Sequence, residues 1–224
     1  MTKSIFNHDR FNIWDICKRQ YYYKYIKRLN IPEIQSDFYL GKAIHKLIEY
    51  YLKGHEISHL LKNADTEVVN MWEIIKASNL LKQELVATEW QFWTPLSDSG
   101  SWLSGRIDAV FKDKDNKIYV IDWKTGQKIP SDDKNYQSII YLYSFYKAQK
   151  SLKLKFPHEN LVFSFIRIAE EIEIKEIEYS EEKEMEYETL LLEKINEMDQ
   201  ISIYSRNEAK HCIYCNFFSF CKKD

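Results

Sequence analysis

The segment Ile118–Lys124, IYVIDWK, is apolar on both faces of an extended chain until Asp122 and Lys124 near its end. Side chains alternate across a strand, so Ile118 and Val120 lie on one face and Tyr119, Ile121 and Trp123 on the other. A strand of this kind must be covered on both sides, which calls for a sheet with other layers packed on each face. Upstream, Leu103–Phe111 alternates, and the intervening DKDNK is turn chemistry. The spacing predicts a hairpin centred near Asp115.

The remaining segments supply the layers. NHDRFNIWDICKRQYYYKYIKRL reads as an opening helix that ends before Pro32. In SDFYLGKAIHKLIEYYLKG, Ile44, Leu47, Ile48, Tyr51 and Leu52 recur at helical spacing, and Gly54 supplies a stop. Asp65–Leu85 reads as a second helix of this type, and VATEWQFWTPL as a strand closed by Pro95. Ser131–Lys150 reads as a helix with Ser131 as N-cap. ENLVFSFIRI and EIEIKEIEY are two further strands, and SEEKEMEYETLLLEKINEMDQI is a late helix. The order describes a mixed α/β chain around a central sheet. With 5 Gly, 4 Pro and no Gly/Ser/Pro-rich linker, residues 1–224 read as one domain.

In the hairpin register Asp108 falls opposite Asp122, with Lys124 on the same face. Opposed carboxylates repel unless a cation lies between them. Either a divalent metal ion, which favours hard oxygen ligands, or the Lys124 ammonium would supply one. Such a metal would polarise a phosphate oxygen and lower the pKa of a bound water, and Lys124 would orient that water or stabilise developing negative charge. The competing reading of D-x-K is a surface ion-pair ladder, which a central strand disfavours.

The net charge of −2 hides an uneven distribution. Cys17–Arg28 carries five basic residues and no acid, whereas Glu170–Glu188 is strongly acidic and is expected to face away from any ligand. The aromatic content of 15% serves either packing or base stacking. MTKSIFNHDRF contains no apolar leader, and no apolar run approaches the roughly 20 residues of a membrane span. A cytoplasmic protein without a membrane partner is expected, in which thiols stay reduced. Cys17, Cys212, Cys215 and Cys221, with a C-x₂-C pair among them, then read as one Cys₄ site for zinc or iron–sulfur.

GRID (Gly105–Asp108), VIDWKTG (Val120–Gly126) and QSIIY (Gln137–Tyr141) resemble, in order, the G-x-x-D, D-Y-K-T-G and Q-x-x-x-Y motifs of the RecB-like branch of the PD-(D/E)XK nuclease superfamily. GKAIH (Gly41–His45) resembles that branch's upstream G-x-x-x-H. The resemblance implies a restriction-endonuclease-like α/β core, a central mixed sheet flanked by helices. It implies Mg²⁺ or Mn²⁺ held by His45, Asp108, Asp122 and the Trp123 carbonyl, with Lys124 as the catalytic cation. Trp123 stands where Tyr is usual, a mild departure because only its backbone is expected to touch metal. Gln137 and Tyr141 would contact the DNA backbone; Glu89, on the strand before the hairpin, is a weaker site candidate and reads more readily as an exposed strand acid.

The cysteine frame resembles the iron–sulfur subset of that branch, which includes the AddB nuclease domain and CRISPR-associated exonucleases, although Lys18 replaces the usual Pro. A 4Fe–4S cluster is implied, with zinc as the fallback, joining residues 17–30 to 206–224 and so linking the N- and C-termini. The cluster would hold a basic helix near the active site. From that helix Lys18, Arg19, Lys24, Lys27 and Arg28 would meet phosphates, and Tyr21, Tyr22 and Tyr23 would stack on bases. The implied activity is exonucleolytic hydrolysis of single-stranded or unwound DNA, beside a helicase or CRISPR adaptation proteins, in repair or CRISPR adaptation. The alternative is a non-catalytic DNA-binding module stabilised by iron–sulfur or zinc.

Overall fold

A computed structural model of the chain describes residues 4–31, 38–126, 128–130 and 134–222. Its strands are β1 (Ile5–Phe6), β2 (Glu84–Pro95), β3 (Trp102–Lys112), β4 (Ile118–Lys124), β5 (Leu161–Ile168) and β6 (Ile172–Glu178). Its helices are α1 (His8–Ile16), α2 (Lys18–Tyr21), α3 (Phe38–Leu52), α4 (Ser58–Lys62), α5 (Thr66–Ala77), α6 (Tyr136–Lys147), α7 (Glu181–Gln200) and α8 (Phe218–Cys221). Among the described residues no helix is long and apolar enough to cross a membrane.

The strands form one mixed sheet with β4 inside it, antiparallel to β3 and parallel to β5. The parallel pair needs a crossover, and α6 provides it. Ile118 and Val120 pack with Phe11, Trp14, Ile139 and Leu191 of α1, α6 and α7. Ile121 and Trp123 pack with Ile44, Ile48, Trp72 and Ile75 of α3 and α5. The strand that reads as apolar on both faces is thus covered on both. The β3–β4 ladder pairs Ala109 with Ile121 and Lys112 with Ile118, a register centred on Asp115 as the turn residues predict.

β2 pairs with β3 along its whole length, whereas β1 meets only Trp102 and Leu103, and β4 only Ala109–Lys112. The stretch between them, Ser104–Asp108, lies where the sheet opens. Here the alternation of β3 also slips. Ile107 and Val110 join the same cluster, although strict alternation would send them to opposite faces. Across from Asp108, Glu89 holds a left-handed backbone with φ 50°, which costs a non-glycine residue about 1–2 kcal/mol.

Three expected helices are shorter than the sequence suggests. The opening one breaks at Cys17, whose φ of −161° and ψ of 111° are extended, and continues as α2 and a π turn, Tyr22–Ile26. Helix Asp65–Leu85 stops at Ala77, and the chain runs through a 3₁₀ turn at Leu80–Lys82 into β2. The expected cap Ser131 lies outside the described residues; α6 is capped by Asn135, whose side chain accepts from the Gln137 amide at 2.8 Å.

Candidate active site

The site begins with a close approach. A Cβ on Gly41 would sit 2.9 Å from Thr125 Oγ1, so glycine lets α3 press against the loop that follows β4. His45 stands about one turn further along α3 and faces the end of β4. Its Nε2 is 2.9 Å from the Trp123 carbonyl oxygen, and its Nδ1 is 3.4 Å from Asp108 Oδ2. The Trp123 amide in turn donates to Asp108 Oδ2 at 2.9 Å. Both backbone polar groups of Trp123 therefore face the site, while its side chain is buried in the α3–α5 core. The identity of that side chain is a packing matter.

Asp122, only 4% exposed, joins a second network. Its Oδ1 accepts from Gln137 Nε2 at 2.5 Å. Its Oδ2 forms an ion pair with Lys124 Nζ at 2.6 Å. Lys124 Nζ also donates to Gln137 Oε1 at 3.1 Å. Burial, reinforced by the charge of Asp108, pushes the Asp122 carboxyl up to about 6 against the pull of Lys124 and His45. Burial lowers the His45 imidazole, but the hydrogen bond and charge of Asp108 outweigh it and leave the group raised.

Two carboxylates, an imidazole and a carbonyl oxygen at one strand end are a donor set suited to a hard divalent cation. The side chains meet one another rather than a common point. Among the described residues no three His, Cys, Asp or Glu side chains form a group placed to hold a metal ion.

Gly105 explains another motif position. A Cβ there would lie 2.6 Å from Phe92 Cζ and 2.9 Å from Tyr141 Cε1. Tyr141 is buried under this backbone, edge-on to Phe92 and Phe163 with ring centroids 5.6 and 6.0 Å away. So placed, it braces β3 from below. Gly105→Ala is expected to destabilise the fold by about 1–3 kcal/mol, the usual range for overpacking a core. A thermal melt measures it, and an unchanged melt would show that the Phe92 and Tyr141 rings yield freely.

A cavity of about 600 Å³ opens over this face, lined by His45, Asp122 and Lys124 together with Lys46, Glu89 and Arg106. Glu89 is not the exposed strand acid expected. Its side chain is 15% exposed and pairs with Arg106 Nε at 2.9 Å. Burial raises its carboxyl, with Arg106 opposing. Sequence reading missed Arg106 as a lining residue, although it sits inside GRID itself.

The cysteine region differs in part from expectation. Cys17, Cys212, Cys215 and Cys221 line one small cavity of about 30 Å³ with Arg19 and Tyr23. Burial raises the Cys215 thiol, and the other three cysteines add to it. The N- and C-terminal segments are joined directly: Asn207 Nδ2 donates to the Ile16 carbonyl at 2.7 Å, the Arg19 amide to the Ser205 carbonyl at 3.1 Å, and Tyr23 stacks on Phe217. Tyr21 and Tyr23 are 1% and 4% exposed and belong to the interior, so they cannot stack on bases. Tyr22 is half-buried against Tyr204, and Lys24 and Lys18 pair with Asp9 and Glu197.

A family model described as the PD-(D/E)XK nuclease superfamily matches residues 6–222. A solved structure from Eubacterium rectale, named as a candidate exonuclease, superposes with a TM-score of 0.55 at 11% identity, covering 92% of this chain and 85% of that one. The crystal structure of SSO0001 superposes with a TM-score of 0.48 at 18% identity, over 100% of this chain and 88% of that one. No curated protein sequence matches the chain.

Proposed function

Because the chain belongs to the PD-(D/E)XK nuclease superfamily, we propose that it is a Mg²⁺- or Mn²⁺-dependent deoxyribonuclease working at the Asp108–Asp122–Lys124 face. The observation that carries the reading is the Lys124 ammonium 2.6 Å from a buried Asp122, with Gln137 bridging both. Such a charge cluster at the end of a central strand has no packing role and opens directly into a cavity.

Asp108, Asp122, His45 and the Trp123 carbonyl would hold the cation. When bound, that cation lowers the pKa of an attacking water and polarises a phosphate oxygen. Lys124 stabilises the negative charge that builds on the phosphoryl oxygens. Gln137 fixes the Asp122 carboxylate and the Lys124 ammonium relative to each other. Arg106 and Lys46, at the cavity rim, bind the flanking phosphates.

The RecB-like form of GRID, VIDWKTG and QSIIY supports exonuclease action on single-stranded or unwound ends, with a helicase or CRISPR adaptation proteins as partners. The shared cavity of the four cysteines supports a thiolate-bound centre, an iron–sulfur cluster in this reading and zinc as the other outcome. Arg19, Lys24 and Tyr22 beside it would reach the DNA backbone once Lys24 leaves Asp9.

The test is digestion of end-labelled single-stranded DNA by protein purified without oxygen, with iron and zinc measured in the same preparation. Cleavage is expected with Mn²⁺, none with chelator, and none from Lys124→Ala. Equal traces from wild type and Lys124→Ala would leave the DNA-binding module as the reading.

A further inference from the structure

The half of the β2–β3 hairpin beyond Glu89 is covered on one face only. Phe92 and Thr94 turn inward with Leu103, Gly105 and Ile107. Gln91 and Trp93 alternate to the outer face, and their partners Arg106 and Ser104 share it. Trp93 is 59% exposed and the Arg106 side chain 58%. A single exposed apolar side chain is ordinary. Trp93 differs in its neighbour, because Arg106 also lines the cavity over Asp122 and Lys124. The outer face therefore adjoins the cleft through Arg106, with Trp93 about 7 Å along the strand from the Gln91–Arg106 pair.

We infer that Trp93 is a stacking platform for an unpaired base of a single DNA strand whose adjoining phosphate lies against Arg106 at the cleft. A tryptophan ring on an open sheet offers a π-face that any base can use, and a neighbouring guanidinium holds the backbone in register; this pairing is how single strands are bound without sequence preference. A base paired inside a duplex has no free face to give Trp93, so the platform favours strands that are already unwound. Tyr21 and Tyr23, two of the tyrosines expected to stack, are interior residues. The identity of the ligand as DNA rests on the nuclease reading; the position of the platform rests on the exposed ring and its link to the cleft through Arg106.

The experiment measures binding apart from cleavage. Lys124→Ala protein is titrated into a fluorescent oligothymidylate of about 12 nucleotides, within the span of typical single-strand sites, and into the same strand paired with its complement. Adding Trp93→Ala is expected to weaken single-strand binding about tenfold, the loss of one stacked base, and duplex binding less than about twofold. Trp93→Phe, which keeps a ring, is expected to retain most of the affinity, and circular dichroism checks that each variant is folded. Unchanged single-strand affinity in Trp93→Ala, or equal losses on both DNAs, overturns the platform. So does a concentration-dependent dimer that Trp93→Ala abolishes, which would make this face a contact between copies of the chain. Trp93-dependent binding without any metal-dependent cleavage by the unsubstituted protein would remove the nuclease reading and leave the platform standing. Cleavage unaffected by Trp93→Ala, with unaffected binding, would do the reverse.

Discussion

Asp122→Asn is expected to lower DNA cleavage by about 10³-fold and, in metal-free protein at pH 8, to make the fold harder to unfold. The loss follows from removing a carboxylate from the centre of the site, and groups that stabilise charge in a transition state are each worth on the order of 10²–10³ in rate. The gain follows from linkage. The Asp122 carboxyl is raised from 3.8 to about 6 by burial and by Asp108. Between those values the unfolded chain has lost this proton and the folded chain retains it. Stability therefore falls as pH rises through that window and stays reduced above it.

Asparagine carries no charge to desolvate, still accepts from Gln137, and leaves Lys124 to solvent through a side chain that is 29% exposed. The expected gain is about 1–3 kcal/mol at pH 8, vanishing near pH 4. Urea melts at the two pH values measure it. A variant that is inactive yet no more stable at pH 8 would mean that Asp122 carries no such burial cost.

Trp123→Ala should cost about 3–5 kcal/mol, the usual loss when a large aromatic leaves a core, and lower the melting temperature by roughly 6–20 °C. Trp123 is buried with Ile44, Ile48 and Trp72 of α3 and α5, so its removal loosens the helix that carries His45. Trp123→Tyr should melt far closer to wild type and still cleave, because the site uses only the Trp123 amide and carbonyl. Loss of cleavage in a well-folded Trp123→Tyr protein would show that the indole itself contributes to the chemistry.

The parts of the fold legible in the sequence are those fixed by local rules. Period-two alternation and DKDNK turn chemistry gave the Asp115-centred register, and with it the proximity of Asp108, Asp122 and Lys124. The motif spacing pointed to His45 and Gln137, and the structure brings both to that face. What escaped depends on tertiary packing. Nothing in ICKRQ, which has neither glycine nor proline, announces the extended residue at Cys17; on either side of it Ile16 and Arg19 bond to Asn207 and Ser205, far off in sequence. The tyrosine run looks like a surface because it is flanked by lysines, yet Tyr21 and Tyr23 turn inward against Trp14 and Phe217. Between the Thr88–Ala109 and Trp90–Ile107 pairs, Glu89 takes a left-handed backbone that no propensity favours, and an acid in a strand reads as exposed until its partner Arg106 is known.

The joining of α1 and α2 to residues 205–217 also governs when the protein can exist. β1 cannot pair until Trp102 and Leu103 are made, α1 finds Tyr136 and Ile139 when α6 is made, and only the junction of α1 with α2 must wait for Ser205, Asn207 and Phe217. At about 5–20 residues per second on the ribosome, the roughly 200 residues from α1 to Phe217 take about 10–40 s. For that time Tyr23 lacks Phe217, and the chain around Cys17 lacks Ser205 and Asn207, although Phe11 finds Tyr136 sooner. Translation that stops short of residue 205 should therefore yield a sheet with α1 in place against α6 and with α2 stripped of its bonds to Ser205 and Phe217.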